Sequence, residues 1–354
     1  MKLLYITNGI TGVGGLERVL SIKASYLADN YGYEVHILTL NEQDMQPFYI
    51  FSPQIVLHSI PYTRIFLYLS GLRKAVKEIS PDIISVCDDG LKGFFVPRII
   101  KNIPIIYERH ASILLNTSDS LKGKIIKYLM NSQIKYFEKF VVLTKSNCKE
   151  WNKKNVVVIP NPLSFYPEKS NPLTQKKIIV VGSHSHNKGY DLLLQAEKKV
   201  SNLFPNWELH VYGKADTDKK IIMMAEQMNL SKYIHFHEPV KNIQEKYLNS
   251  SIMVLSSRSE GFGMVLIEAM ACGLPCVSFD CPQGPSDIIT DGEDGFLVSV
   301  GNVDKLAEKI CFLIENEEER KRMGRNAKEN VKRFLPENIM EKWNNLFRLL
   351  NKNA

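Results

Sequence analysis

A chain of 354 residues is long enough for two domains of ordinary size, each burying its own core. Its 44% hydrophobic and 23% charged residues, without any low-complexity tract, are the composition of a soluble globular protein, and no apolar run approaches the roughly 18–20 residues that span a bilayer. The net charge of +7 sits in the first half: residues 1–165 hold 20 Lys/Arg against 13 Asp/Glu, and residues 166–354 hold 25 against 25. A basic half suits nucleic acid, an anionic membrane or a phosphorylated substrate, but no nucleic-acid recognition motif accompanies it. The six cysteines lack paired or C-x-x-C spacing, so reduced thiols in a cytoplasmic protein are expected.

The opening run, MKLLYITNGI, is too short for a signal peptide and reads as a first buried strand. Further strands are expected at EVHILTL, DIISVC, IPIIYE, KFVVLT and VVVIP, alternating with helical patterns. All are apolar on both faces, as parallel strands covered by helices are. The turn GVGGLERVL opens the first helix, and its glycines Gly12, Gly14 and Gly15 suit close approach to a phosphate. A dinucleotide fingerprint needs another glycine where Glu17 stands, so that reading fails there, although Glu42 could mimic its ribose-binding acid.

His110 lies in YERHAS, just past IPIIYE, and is expected to point outward from the strand end into a ligand cleft, with Glu108 and Arg109 as ligand contacts. Next, SLKGKIIKYLMNSQIKYFEKF places Lys122, Lys124, Lys127, Lys135 and Lys139 among Ile, Leu, Tyr and Phe. Two accounts stay open: a packed helix with a solvated lysine face, or docking on an anionic membrane surface. FLYLSGLRKAVKE adds Arg73, Lys74 and Lys77 to the same half.

Pro160, Pro162, Pro167 and Pro172 mark a linker, after which strands restart at KIIVVG, ELHVYG, IHFHEP, SIMVLSS and PCVSFD. The domains expected are 1–163, 164–335 and a last helix, 336–354, crossing back to the first domain. Two doubly wound sheets joined by a hinge would face across a cleft at the carboxyl ends of their strands. Asp216-Thr-Asp218 spells D-x-D in a polar run that reads as a solvated loop. His184/His186 and His235/His237 are spaced H-x-H without a third ligand at helical spacing, so no metal site is expected from them. The densest signal is SRSEGFGMVLIEAMACGLP: a strand ends, Glu260-Gly261-Phe262-Gly263 forms a loop, and a helix runs from Met264 to Gly273 before Pro275. Gly261 and Gly263 let the backbone approach a ligand, and the helix start offers amide groups to a diphosphate.

S-x-x-E-G-F-G…E-A-M-A-x-G-x-P resembles the signature of the retaining GT-B glycosyltransferases of family 4, of the kind that build bacterial surface polysaccharides, and the resemblance spans essentially the whole chain. It implies an α/β fold of two Rossmann-like domains, acceptor-binding then donor-binding, transferring sugar from a nucleoside diphosphate sugar, a UDP-sugar by expectation. The acceptor would be a glycan or lipid-linked glycan. Carried over, Glu260 contacts the donor sugar, the backbone of Gly261, Phe262, Gly263, Met264 and Val265 holds sugar and phosphate, and Glu268 holds the ribose. The first loop carries over Gly14 and Gly15, closing over the donor phosphates, and His110 falls near the reacting centre.

In VGSHSHNKGYDLLLQA the resemblance assigns Lys188-Gly189 to neutralising the leaving diphosphate without a metal or other cofactor. Ser183 stands where the family usually has an arginine, and Ser183 itself, His184, His186 or a residue of the other domain is the expected substitute. CPQGPSDIITDGEDGFLV resembles the segment behind the donor, with Gly292 and Gly295 as turn residues. The location implied is cytoplasmic, peripheral on the inner face of the plasma membrane. A nucleotide-sugar epimerase on the same fold, or a degenerate donor-binding protein, are the alternatives.

Overall fold

The computed structural model describes every residue except 114–116, 118, 119, 152, 170, 353 and 354. The described residues form two compact units, Met1–Ser164 with Phe334–Ala354, and Phe165–Arg333.

The first unit is a parallel sheet of β1 (Lys2–Thr7), β2 (Glu34–Leu40), β3 (Val56–Ile60), β4 (Ile83–Cys87), β5 (Ile105–Arg109), β6 (Lys139–Val142) and β7 (Val156–Val158). The strands lie in the order β3-β2-β1-β4-β5-β6-β7. The central strands β1, β4 and β5 are buried almost throughout, as helices on both faces require. The edge strand β3 was not expected: Val56 and Leu57 are exposed, so VLHSI lacks the apolar run that marks its neighbours.

Helix Gly15–Tyr31 closes on Gly32, whose left-handed backbone (φ 65°) lets Gly32 N donate to Ala28 O and Tyr33 N to Leu27 O. Helix Pro336–Lys352 packs against it. Tyr33 Oη donates to Asn344 Oδ1 at 2.6 Å, and the Lys23 ammonium stands 4.3 Å from the centre of the Trp343 ring and 4.8 Å from that of Tyr5. The chain's last helix is therefore a core element of its first unit.

The second unit contains β8 (Lys177–Val181), β9 (Glu208–Tyr212), β10 (Ile234–His237), β11 (Ile252–Leu255), β12 (Cys276–Phe279) and β13 (Gly295–Val298), in the parallel order β10-β9-β8-β11-β12-β13. Strand β13 also lies outside the expectation. Gly295 is its first residue rather than a turn glycine, and a Cβ there would collide with the Cys276 carbonyl on β12. Gly292 does lie in the turn, with φ 77°. Arg320 is buried, donating to Leu313 O, Ile314 O and Leu173 O and lying over the Trp207 ring, which ties the end of the linker to the second core.

In both sheets the strand order reverses once, between β1 and β4 and between β8 and β11. Such switch points leave a crevice at the carboxyl ends, where open α/β sheets bind ligands. The loops that follow these four strands are thus the places to look for a site.

Glu197, in helix Tyr190–Leu203, is 2% exposed, and burial pushes its carboxyl up to about 8. The folded state keeps a proton that the unfolded chain releases near 4.5, so the stability of this unit falls as pH rises from about 4.5 to about 8. Denaturant unfolding of Glu197→Gln should lose that slope and make the variant the more stable protein at pH 9.

Candidate active site

At the second switch point the loop after β8 (182–189) lies against the loop after β11 (256–263). Ser256 Oγ donates to Lys188 O at 2.8 Å, Arg258 N to Asn187 O at 2.7 Å, and Asn187 Nδ2 to Ser259 O at 2.7 Å. The Arg258 guanidinium donates to both carboxylate oxygens of Asp191, at 2.8 and 2.7 Å, and to His186 O at 2.7 Å. Gly189 makes this fit possible. Its φ is +63°, and a Cβ there would strike the Ser256 carbonyl. The glycine after Lys188 is therefore a packing requirement of the two loops.

Lys188 Nζ donates to Glu260 Oε1 at 2.7 Å, and Ser257 Oγ donates to the same oxygen at 2.6 Å. Both charged side chains are partly open to solvent, Lys188 at 22% and Glu260 at 10%. Gly261 follows, half-buried, then buried Phe262 and Gly263, whose φ of 101° turns the chain into helix Met264–Ala271. Gly284 lies so close to Phe262 that a Cβ would meet its carbonyl, and this fixes the loop from behind. Helix starts leave their first amide groups without intrahelical partners, so Met264 and Val265, both half-buried, place such amides beside the Lys188–Glu260 pair. Glu268, one turn on, is 1% exposed.

Ser183 is exposed and uncharged on the same loop. His184 cannot stand in for the missing arginine. Its ring is buried against Tyr190 and Phe236, neither nitrogen has a hydrogen-bond partner, and burial lowers its pKa, so it carries no charge at neutral pH. His184 N donates to Lys214 O at 2.9 Å, which sets an exposed cationic residue on the adjoining backbone.

In the first unit, the Glu42 carboxylate accepts from Ile10 N, Thr11 N and Thr11 Oγ1 and so pins the loop after β1, leaving it no ribose-binding part. Cβ atoms on Gly12 or Gly14 would collide with the carboxylate of Glu17. That acid folds back over the start of its own helix, where negative charge is favoured. The exposed loop of Gly14 and Gly15, expected to approach donor phosphates, is thus lined by an anion of the chain itself.

His110 follows β5, but its side chain is only 7% exposed. It turns inward because a buried carboxylate lies beneath it: His110 Nε2 is 3.3 Å from Glu108 Oε2. Glu108 also accepts from Ser85 Oγ at 2.5 Å and pairs with the buried Lys23 ammonium. Burial alone would raise the Glu108 pKa; Lys23 and His110 outweigh it and hold the carboxyl at about 2. An ionised Glu108 only accepts, so the hydrogen on His110 is assigned to Nε2 and the lone pair to Nδ1, which is buried without a partner. Cys87, Glu108 and His110 bring three ligand-type atoms together. They do not fit a metal, since the Lys23 ammonium already occupies the carboxylate. Glu108 and Arg109 are both buried, with Arg109 donating to Asp89 O and Ser112 O, so neither is placed as an acceptor contact.

Sequence reasoning thus located Lys188, Glu260 and the 261–265 loop together. It missed Ser257, Asn187 and the Arg258–Asp191 brace, and it missed Lys23 and Ser85 beneath His110. Lys23 had left a signal, since it shares the apolar phase of Val19, Leu20, Ala24 and Leu27 in its helix.

The two parallel-sheet α/β units have the fold of the GT-B glycosyltransferases, which solved structures similar to this chain share. HepE of Anabaena, crystallised with UDP-glucose, superposes with a TM-score of 0.81 over 98% of this chain and 99% of its own, at 17% identity. Residues 13–164 match the model of Glycosyltransferase Family 4, and residues 165–330 match that of Glycosyl transferases group 1. An uncharacterised glycosyltransferase of Methanocaldococcus jannaschii is 30% identical over 94% of both chains. The amylovoran biosynthesis glycosyltransferase AmsD of Erwinia amylovora is 29% identical over 98% of this chain and 99% of its own. The chain belongs to the family 4, group 1 glycosyltransferases. Neither the family models nor these relatives point to an epimerase.

Gly189→Ala should force the two loops apart and cost at least about 2 kcal/mol of stability, through left-handed strain plus the collision. Gly292→Ala, at φ 77° with nothing within 4 Å, supplies the strain without the collision and should cost less. Thermal unfolding of the two variants side by side checks this.

Proposed function

We propose that this glycosyltransferase moves a sugar from a UDP-sugar to a hydroxyl of a growing, lipid-linked glycan, with retention of anomeric configuration, in the synthesis of a bacterial surface polysaccharide. The observation that carries the reading is the Lys188–Glu260 pair beside the Gly263 helix start. The pair is partly solvent-accessible, so an arriving diphosphate competes with Glu260 for the ammonium. Once Lys188 turns to the phosphate, Glu260 is released to accept hydrogen bonds from the donor sugar's hydroxyls, and Ser257 keeps it in place. The amides of Gly261, Phe262, Gly263, Met264 and Val265 take sugar and phosphate oxygens, and Glu268 takes the ribose. Lys214, on the backbone strand-end that adjoins His184, is assigned the charge that Ser183 lacks.

As the bond from the anomeric carbon to the diphosphate oxygen breaks, the sugar gains oxocarbenium character and the leaving oxygen gains charge, which Lys188 and the helix start stabilise. The acceptor oxygen attacks from the face the diphosphate leaves, and its proton passes to the departing phosphate oxygen. His110, with the Nδ1 lone pair held by Glu108, is assigned to a hydroxyl near the reacting carbon. The UDP-glucose complex of HepE and the polysaccharide role of AmsD support the substrate classes. In this scheme positive charge for the leaving group comes from the protein, with no metal or cofactor required.

A panel of UDP- and GDP-sugars should show one UDP-sugar that raises the unfolding temperature of the protein. Lys188→Ala and Glu260→Ala should each lower kcat of transfer by about 10²–10³-fold, with the product's anomeric configuration unchanged from the donor by NMR. Inversion would remove the front-face step, and full activity in both variants would remove the site.

The acceptor side rests on helix Leu121–Gln133. Leu121, Ile125, Tyr128 and Leu129, at i, i+4, i+7 and i+8, form one exposed apolar face, with Leu121 and Tyr128 each about three-quarters exposed. Lys122, Lys124 and Lys127 are exposed beside it. Among the described residues no helix is long and apolar enough to cross a membrane. An apolar face rimmed with lysines suits the interface of an anionic bilayer, and would bring the enzyme to a lipid-linked acceptor on the cytoplasmic leaflet. Vesicles containing phosphatidylglycerol should sediment the protein, and phosphatidylcholine vesicles should not. Tyr128→Asp should abolish the sedimentation while leaving donor-induced stabilisation intact.

A further inference from the structure

Along the outer strands of the second sheet, four polar rings and an acid share one face. Strands β9 and β10 pair in parallel register, with His210 opposite His235 and Tyr212 opposite His237. Glu208 lies two residues before His210 and therefore on the same face. His210 Nε2 is 3.1 Å from Glu208 Oε2, and His235 Nε2 is 3.9 Å from the same oxygen. The three ligand atoms all lie within 4.8 Å of one another. His235 Nε2 is buried as an atom and makes no hydrogen bond. On the far side of His210, Nδ1 is 3.0 Å from His237 Nε2, and the His237 ring is stacked on both His210 and Tyr212.

We infer that Glu208, His210 and His235 form a binding site for a single divalent first-row transition ion of the zinc type, unconnected with sugar transfer. Two imidazoles and a carboxylate are the donor set such ions take, with water completing the shell. At bond lengths of about 2.0–2.1 Å, the separation of His210 Nε2 and Glu208 Oε2 subtends about 100° at the ion, near the tetrahedral angle. His235 Nε2, 3.9 Å from the same oxygen, has to approach it by about half an ångström to reach the tetrahedral separation. His237 supplies what a metal-bound imidazole ordinarily has, a partner on its other ring nitrogen that fixes orientation and tautomer. With the metal bound, His210 carries its hydrogen on Nδ1 and donates to His237, so Nε2 offers its lone pair. Lys177, paired in register with Glu208, is the nearby positive charge that the ion must tolerate.

The first unit holds a built-in comparison. Lys2 is paired with Glu34, His36 Nε2 is 3.0 Å from Glu34 Oε1, and His36 Nδ1 is 2.8 Å from His58 Nε2. The residues correspond one for one with Lys177, Glu208, His210 and His237. The register partner of His36, however, is Val56, where the second unit has His235. The acid and two rings therefore belong to a structural pattern of both sheets, and His235 is the addition that turns one copy into a chelate.

The test is zinc titration of the full-length protein after dialysis against a chelator, by calorimetry, with Co²⁺ absorption to report coordination. One equivalent should bind, with the visible spectrum of a four-coordinate cobalt site. His235→Val, which copies the residue of the first sheet, should weaken binding at least tenfold and keep the wild-type unfolding temperature in the metal-free state. His58→Ala should bind zinc as wild type does. Absence of binding at 100 µM zinc, or binding that persists undiminished in His235→Val, overturns the site. Donor-induced stabilisation in His235→Val should equal that of wild type, so failure here and failure of the transfer reading are separate results.

Discussion

The contact on which the proposed donor site depends is the approach of the Gly189 backbone to the carbonyl of Ser256. It holds two loops, from strands that are neighbours in space but more than 70 residues apart in sequence, at a distance where the side chain of Lys188 meets that of Glu260. Every other bond between the loops, from Ser256, Asn187 and Arg258, runs parallel to that approach and stiffens it. Preorganisation of this kind is what electrostatic catalysis needs, because a charge that must be gathered during the reaction is worth less than one already in place. The lysine is therefore positioned by backbone, and the carboxylate by a serine hydroxyl.

The first unit is organised around a charge of the opposite accessibility. Lys23 and Glu108 are both withdrawn from water, and the pair survives because each remaining face is occupied: rings of Tyr5 and Trp343 against the ammonium, Ser85 and His110 against the carboxylate. A buried pair seldom adds net stability over an apolar equivalent, but it penalises any arrangement that separates its members. Here it sets the rotamer and the tautomer of His110, so a charge that ligands never reach decides which ring nitrogen is available.

Much of this was legible from residues alone, and the parts that were not share a cause. Eleven of the thirteen strands, the linker and the helix from Met264 announced themselves through apolar runs, prolines and glycines, which are local signals. Strand β3 and strand β13 did not, because one is half-exposed at an edge and the other is a four-residue strand entered through a polar turn. The Lys188 and Glu260 positions were readable from their motifs, whereas the Arg258–Asp191 brace and the Lys23–Glu108 pair depend on residues 67 and 85 positions apart. His110 was placed at a strand end, but nothing local to YERHAS reveals that its ring is held by a carboxylate already claimed by a distant lysine. The His235/His237 pair illustrates the same limit: it carries no third ligand-type residue along its own strand, and Glu208 and His210 join it only through parallel register.

The two ends of the chain share a core, and this gives synthesis a direction. Trp343, one of the rings closing over Lys23, leaves the ribosome only after all of Phe165–Arg333 has emerged. Domains generally fold as units as they are made, and the second unit has all its residues before the first has its last helix. During that interval the ammonium of Lys23 lacks one of its two aromatic faces. The unit whose residues emerge first is thus the one whose residues are complete last.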